Sequence, residues 1–155
     1  MSDHVTELLD EVRLLFHQAA QAAEDLNAAE PITVSMRAVL ELLRRTGPAT
    51  VPEIARRRYV TRQHIQTLVN ALQARGLATA EGNPANRRSP LISLTPDGAR
   101  TIRRITDRER RFLARLDLPP DIDAQELARA RRALAALRTT IGQTIGALHE
   151  QPQSS

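Results

Sequence analysis

Residues 50–77 read TVPEIARRRYVTRQHIQTLVNALQARGL, and two helix starts are written into that stretch. Thr50-Val51-Pro52-Glu53 is a capping box with proline in the first turn, where its missing N–H costs nothing. It opens a short helix carrying Ile54 and Ala55, followed by Arg56, Arg57 and Arg58. Tyr59-Val60 makes a brief turn, Thr61 caps the next helix, and Gly76 ends it after about Arg75. At 100° per residue Ile65, Leu68, Val69 and Leu72 fall on one face of this second helix. The opposite face carries Gln63, Gln66, Thr67 and Asn70, with Arg62 at the entry.

The chain on either side completes the pattern. Upstream, residues 33–46 form a helix with Met36, Val39, Leu40 and Leu43 on its apolar side, Thr33 as N-cap and Gly47-Pro48 as the stop. Val39, Leu43 and Ile54 are the expected burial partners of the second helix's apolar face. Downstream, Leu77-Ala78-Thr79-Ala80 and Leu91-Ile92-Ser93-Leu94-Thr95 read as strands around a polar loop that carries Arg87-Arg88. Two short helices joined by a tight turn and followed by a hairpin are a winged helix-turn-helix.

Two long helical segments flank this lobe. Residues 3–28 place Val5, Leu8, Leu9, Val12, Leu15, Phe16, Ala19, Ala23 and Leu26 at helical spacing, and Pro31 breaks the run. Residues 97–116 return to helix, and Pro119-Pro120 ends it. Asp123 to Glu126 is another capping box, and it opens a last helix with Leu127, Ala130, Leu134, Leu137, Ile141, Ile145 and Leu148 in steps of three and four. Gly142 and Gly146 thin one face of that seam. Long apolar stripes of this kind need a partner surface.

The fold class is therefore mainly α with a small two- to three-stranded β-wing, a winged helix-turn-helix between long N- and C-terminal dimerisation helices. The organisation reads as a dimerisation helix over 1–32, a DNA-binding lobe over 33–96, helices completing the dimerisation region over 97–150, and a disordered tail over 151–155. The expected dimer contacts are Leu8, Val12 and Leu15 with Leu134, Leu137, Ile141 and Ile145.

Composition narrows the function. The 155 residues contain no Cys, which excludes disulfides, thiolate metal sites and thiol redox sensing. No run approaches a membrane span, and the acidic first ten residues contain no apolar signal segment. A soluble, cytoplasmic protein is expected. All 22 basic residues are Arg, which a GC-rich genome alone would produce. Their placement says more. Residues 1–32 carry net −6, residues 33–95 net +7 and residues 96–155 net +3. Codon bias raises Arg everywhere but does not empty the middle of acids, so the middle is the footprint of a polyanion.

No acid lies between Thr61 and Leu77. Gln and Asn pair with adenine, Arg with guanine, and a Thr methyl touches thymine, so Thr61, Arg62, Gln63, Gln66, Thr67 and Asn70 are the candidate readers of the major groove. An ordinary solvated helix face is the alternative. Arg87 and Arg88 at the hairpin tip suit the minor groove, against a merely solubilising turn. Arg56, Arg57 and Arg58 suit phosphates, because three adjacent Arg cannot all aim into one groove. His64 falls between core and polar face, where a half-buried packing role is favoured over a phosphate contact.

The element order over residues 5–148 resembles the multiple-antibiotic-resistance regulator (MarR) family. The wing carries the most specific likeness. The family pattern there is Asp, any residue, Arg, five residues, Leu-Thr, then Gly. Here Asn86-Arg87-Arg88 is followed by Ser89 to Ser93, Leu94-Thr95 and Gly98, so Arg88 stands at the family's wing Arg and Asn86 at its usual Asp. Gly76-Leu77 after the second helix fits as well. The resemblance implies a homodimer held by the first and last helices, acting on a near-palindromic operator in double-stranded DNA. In many members a small aromatic or phenolic effector releases the DNA. Phe16, His17, Met36 and Leu40 are the candidate lining of such a pocket, with core packing the competing explanation for the apolar ones. The expected function is a transcription regulator, with repression the family's commoner outcome.

Three other readings fare worse. His4, His17, His64 and His149 are scattered, and no Walker loop, HExxH or dinucleotide fingerprint is present, so neither catalysis, nor a metal, nor a cofactor is expected. A winged helix used for protein–protein contact would not need a positive wing and an acid-free recognition helix. A PadR-like regulator shares the C-terminal coiled-coil helix but generally lacks the long N-terminal one.

Overall fold

The computed structural model describes residues 1–28, 30 and 32–150, with residues 147–150 described by their helix alone. Pro31, the side chains of Leu148 and His149, and the tail 151–155 lie outside the described residues. Two compact units are present, Met1–Ala114 and Arg115–Ser155.

The first unit contains α1 (Ser2–Leu26), α2 (Val34–Thr46), β1 (Ala49–Thr50), α3 (Val51–Arg58), α4 (Arg62–Ala74), β2 (Ala78–Glu81), β3 (Leu91–Leu94) and α5 (Pro96–Leu113). α2, α3 and α4 each start where a side chain satisfies an orphan N–H. Thr33 Oγ1 accepts from Met36 N–H, and Thr61 Oγ1 accepts from His64 N–H. At Thr50 both arms of the capping box are made: its hydroxyl accepts from Glu53 N–H, and the Glu53 carboxylate accepts from Thr50 N–H at 2.8 Å. The bond from Thr50 N–H first, and then one that the Thr50 hydroxyl donates to the same carboxylate at 2.8 Å, hold the Glu53 carboxyl below its ordinary range.

The sheet is antiparallel in the order β1-β3-β2. Its third strand is the two-residue β1, where Ala49 pairs with Ile92 and Thr50 with Leu91. Two residues give no period to read, and Thr50 serves both as strand partner and as helix cap. The apolar faces meet beneath the sheet. Leu40, Ile54, Ile65, Val69, Leu72, Ile92 and Ile102 have essentially no exposed surface, and Val39 and Leu43 join them. Met36 is also in this core. The partners expected for α4 are thus its actual neighbours.

The Leu94-Thr95…Gly98 pattern has a structural cause. The Thr95 hydroxyl donates to the Gly76 carbonyl at 2.6 Å and accepts from Gly98 N–H at 3.0 Å, while Thr95 N–H donates to the Leu77 carbonyl. One threonine therefore ties the end of α4 to the start of α5. A Cβ on residue 98 would lie 1.9 Å from the Leu77 carbonyl oxygen, so only glycine fits there.

Charged pairs fasten α5 to the rest of this unit. Arg104 grips both oxygens of Glu30 at 3.2–3.3 Å, and Arg108 Nη1 lies 3.2 Å from the same carboxylate. The hydrogen bond from Arg104, with the two positive charges, holds the Glu30 carboxyl below its ordinary value. Arg37 of α2 pairs with Glu109 of α5. Burial is the main influence on Glu109 and pushes its carboxyl up.

The second unit contains α6 (Ala124–Glu150). Asp123 Oδ1 accepts from Gln125 and Glu126 N–H at 2.7 and 2.8 Å, which caps the helix. Leu127, Leu134, Ile141 and Ile145 are exposed and Leu137 is half-buried. No described helix is long and apolar enough to cross a membrane.

Candidate nucleic-acid interface

Burial of Ile65, Val69 and Leu72 fixes the rotation of α4 and so decides what its other face presents. Thr61, Arg62, Gln63, Gln66, Thr67 and Asn70 are all exposed. Gln66 Nε2 donates to Asn70 Oδ1 at 2.8 Å, which aligns two amides one turn apart. Thr67 Oγ1 donates to the Gln63 carbonyl, so its hydroxyl is occupied by its own helix. His64 is exposed, not half-buried as its helical angle suggested. Leu68 and Ala71 pack partly against the core on that side, and no element among the described residues covers the imidazole's position one turn earlier.

The wing is ordered by asparagines. Asn83 Nδ2 donates to the Ser89 carbonyl at 2.8 Å and closes the loop. Asn83 Oδ1 accepts from Ala85 N–H. Asn86 Oδ1 accepts from Arg88 N–H at 3.1 Å, and Asn86 and Ser89 add turn hydrogen bonds through their backbones. The amide of Asn86 thus performs the local hydrogen-bonding task open to an Asp at that place, without the charge. Asn83 was not singled out in the sequence; its place among turn formers in 82–90 is the only local indication.

Recognition helix and wing meet at one cleft of about 480 Å³. Arg62, Gln63 and Gln66 line it from α4, and Arg88 with Ser89 and Pro90 line it from the wing. Gln73 also lines it and was missed; it stands seven residues, two helical turns, after Gln66. Arg87 lines a separate hollow at the wing tip with Gly82, Asn83 and Pro84. Arg56, Arg57 and Arg58 are exposed on the last turn of α3, where their charge also opposes the helix dipole.

The four candidate effector-pocket residues are not gathered. Met36 and Leu40 are buried in the core, whereas Phe16 and His17 are exposed on α1 and touch each other edge to face at 5.8 Å. Core packing, the competing explanation for the apolar ones, accounts for Met36 and Leu40, whose burial takes them out of reach of any hollow beside α1. Two hollows do lie along α1, α2 and α5. One of about 290 Å³ is lined by Asn27, Glu30, Ile32, Arg37 and Ile105 among others, and one of about 190 Å³ by Ala19, Ala22, Leu26, Arg37, Glu109 and Phe112 among others. None of the four residues lines either. Among the described residues no group of His and acids is arranged to hold a metal ion.

A helix pair with an exposed amide- and guanidinium-bearing recognition face, a three-stranded sheet and an arginine wing define a winged helix-turn-helix of the DNA-binding class. The MarR family model matches residues 31–89. The MarR family transcription regulator SP03579 superimposes with a TM-score of 0.77 at 28% identity, over 94% of this chain and 95% of its own. The chain belongs to the MarR family of winged-helix transcription regulators. Two further structures share the fold: reduced AbfR bound to DNA (TM-score 0.73, 20% identity, 91% of this chain and 94% of that one), and a mutant Escherichia coli MarR complexed with operator DNA (TM-score 0.74, 19% identity, 86% and 95%). In sequence, the uncharacterised Mycobacterium tuberculosis protein Rv2011c is 37% identical over 108 residues, 70% of this chain and 75% of its own length.

Proposed function

We propose that this regulator acts as a homodimer on a near-palindromic operator in double-stranded DNA, represses transcription there, and is released by a small effector. The observation that carries the reading is the single cleft joining Arg62, Gln63 and Gln66 of an acid-free helix to Arg88 of the wing. In the proposed mode α4 enters the major groove, with Arg62, Gln63, Gln66, Thr67 and Asn70 at base edges and Thr61 at the groove entry. Arg88, aided by Arg87, enters the adjacent minor groove, and Arg56, Arg57 and Arg58 meet phosphates. AbfR and MarR, solved on DNA with the same fold, support this mode.

The dimer part of the proposal rests on apolar surface left without a partner in the single chain. Leu8 and Leu15 on α1, and Leu134, Ile141 and Ile145 on α6, are exposed, with Val12 and Leu137 half-buried. A two-fold dimer spaces its recognition helices about one DNA turn, roughly 34 Å, apart. For the effector, the hollows around Arg37 are better placed than Phe16, His17, Met36 and Leu40, because they adjoin both α1 and the lobe that carries α4.

Selection from random duplex DNA tests the reading. Enrichment of an inverted repeat, bound much more tightly than a scrambled duplex, is the expected result. Weak binding that vanishes at physiological salt, with no enriched sequence, would refute it and leave a helix-turn-helix that serves a protein partner.

A further inference from the structure

We propose that Tyr59 is a DNA-backbone contact whose phenol donates a hydrogen bond to a phosphate at the entry of the recognition helix. The inference rests on DNA binding through α4. Among the described residues Tyr59 is the only one other than glycine with positive φ, at φ 56° and ψ 42°, the left-handed region. A side chain with a Cβ pays for that conformation, and glycine is the residue that adopts it freely. The turn therefore favours glycine, yet the chain places a bulky aromatic there.

Nothing inside the described structure engages the phenol. Tyr59 is 70% exposed, and among the described residues its side chain makes no hydrogen bond or ring contact. Its side chain does not fill the core, and the residue serves as the C-cap of α3 through its backbone alone. The turn is held by backbone alone, through Tyr59 N–H to the Arg56 carbonyl and Val60 N–H to the Ala55 carbonyl. The C-cap accounts for the left-handed backbone but not for an exposed tyrosine where glycine is the usual residue, and that unengaged phenol points to an external partner.

Placement identifies that partner by its chemistry. Tyr59 follows Arg56, Arg57 and Arg58 and stands two residues before Thr61, the N-cap of α4, so its Cα lies within about 7 Å of the cap. The surroundings are cationic and lead into α4, which contains no acidic residue. A polyanion drawn there brings phosphate oxygens past the phenol, which is a hydrogen-bond donor.

The experiment compares the wild-type chain with Tyr59→Gly and Tyr59→Phe, using the selected duplex and a scrambled duplex, with thermal melts and sedimentation alongside. Tyr59→Gly is expected to hold or raise Tm, because the left-handed turn is relieved, while losing roughly tenfold in affinity for both duplexes alike. Tyr59→Phe is expected to lose a similar factor at unchanged Tm. A neutral donor displaces no counterion, so the salt slope is expected to stay at the wild-type value. Undiminished affinity of Tyr59→Gly while the wild type binds its selected duplex would overturn the contact and leave the reading of α4 intact. So would a loss accompanied by a lowered Tm or an altered oligomeric state. Full affinity of Tyr59→Phe would overturn the hydroxyl's role. Failure of the wild-type chain to bind any duplex would remove the reading of α4 and this contact together.

Discussion

Single residues divide here into those that hold the lobe and those proposed to address DNA, and substitutions are expected to separate them. Gly98 is a packing glycine: Gly98→Ala drives a methyl into the Leu77 carbonyl oxygen and is expected to cost about 3 kcal/mol by chemical denaturation. A loss below about 0.5 kcal/mol would mean that the α4–α5 junction yields freely. On the recognition face Gln66→Ala is expected to lower affinity by ~1–3 kcal/mol at one operator position only. Arg88→Ala is expected to weaken selected and scrambled duplexes alike and to flatten the salt slope by about 0.9. If affinity survives Arg88→Ala, the wing does not contact the DNA as proposed. The amides of Gln66 and Asn70 are coupled by their hydrogen bond, so their single substitutions are not expected to be additive.

Among the elements, the wing owes its loop geometry to a few asparagine hydrogen bonds. Asn86 Oδ1 holds the Arg88 backbone, and Asn83 staples the loop to Ser89. Asn86→Asp keeps the acceptor, and affinity is expected to hold. Asn86→Ala removes it, and proteolysis within 82–90 is expected to speed up while DNA affinity falls. Equal behaviour of the two variants would show that the wing is ordered by other contacts. The wing's alternation and turn residues were legible in the sequence, whereas β1 was not. The pairing of Ala49 with Ile92 exists only because α2 and α3 bring residues 49–50 alongside β3.

On the scale of the whole molecule, ion pairs couple α5 to the α1–α2 connection, and pH is expected to reveal them. The Glu30 carboxyl titrates below its ordinary value of about 4.5 in the folded state. The stability it contributes is complete above that value and is lost as pH falls through the depressed one. Glu109 works in the opposite sense. Its raised value means that burial disfavours its charged form, so its ionisation costs stability as pH rises through that value. Urea midpoints between pH 3 and pH 7 are expected to fall on the acid side in the wild-type chain and to fall less steeply in Glu30→Gln. Parallel curves would place the acid sensitivity elsewhere. The proposed dimer has its own test. Leu137→Pro breaks α6 in its apolar seam and is expected to yield a monomer by sedimentation that no longer binds the selected duplex. Tight binding by that monomer would refute the two-fold arrangement.

The sequence by itself determined the helix starts, the apolar face of α4, the wing and the family, because caps, periodicity and turn residues act within a few neighbours along the chain. It also marked the exposed face of α4, since the face opposite a buried stripe follows from the helical period. Only the tertiary structure decided which exposed residues share a cleft, that Gln73 joins Gln66 there, and that His64 stays uncovered. It also moved Met36 and Leu40 into the core and turned Tyr59 left-handed. These outcomes depend on how separate helices pack against one another, and that distance in space is not encoded in the spacing of residues along any one of them.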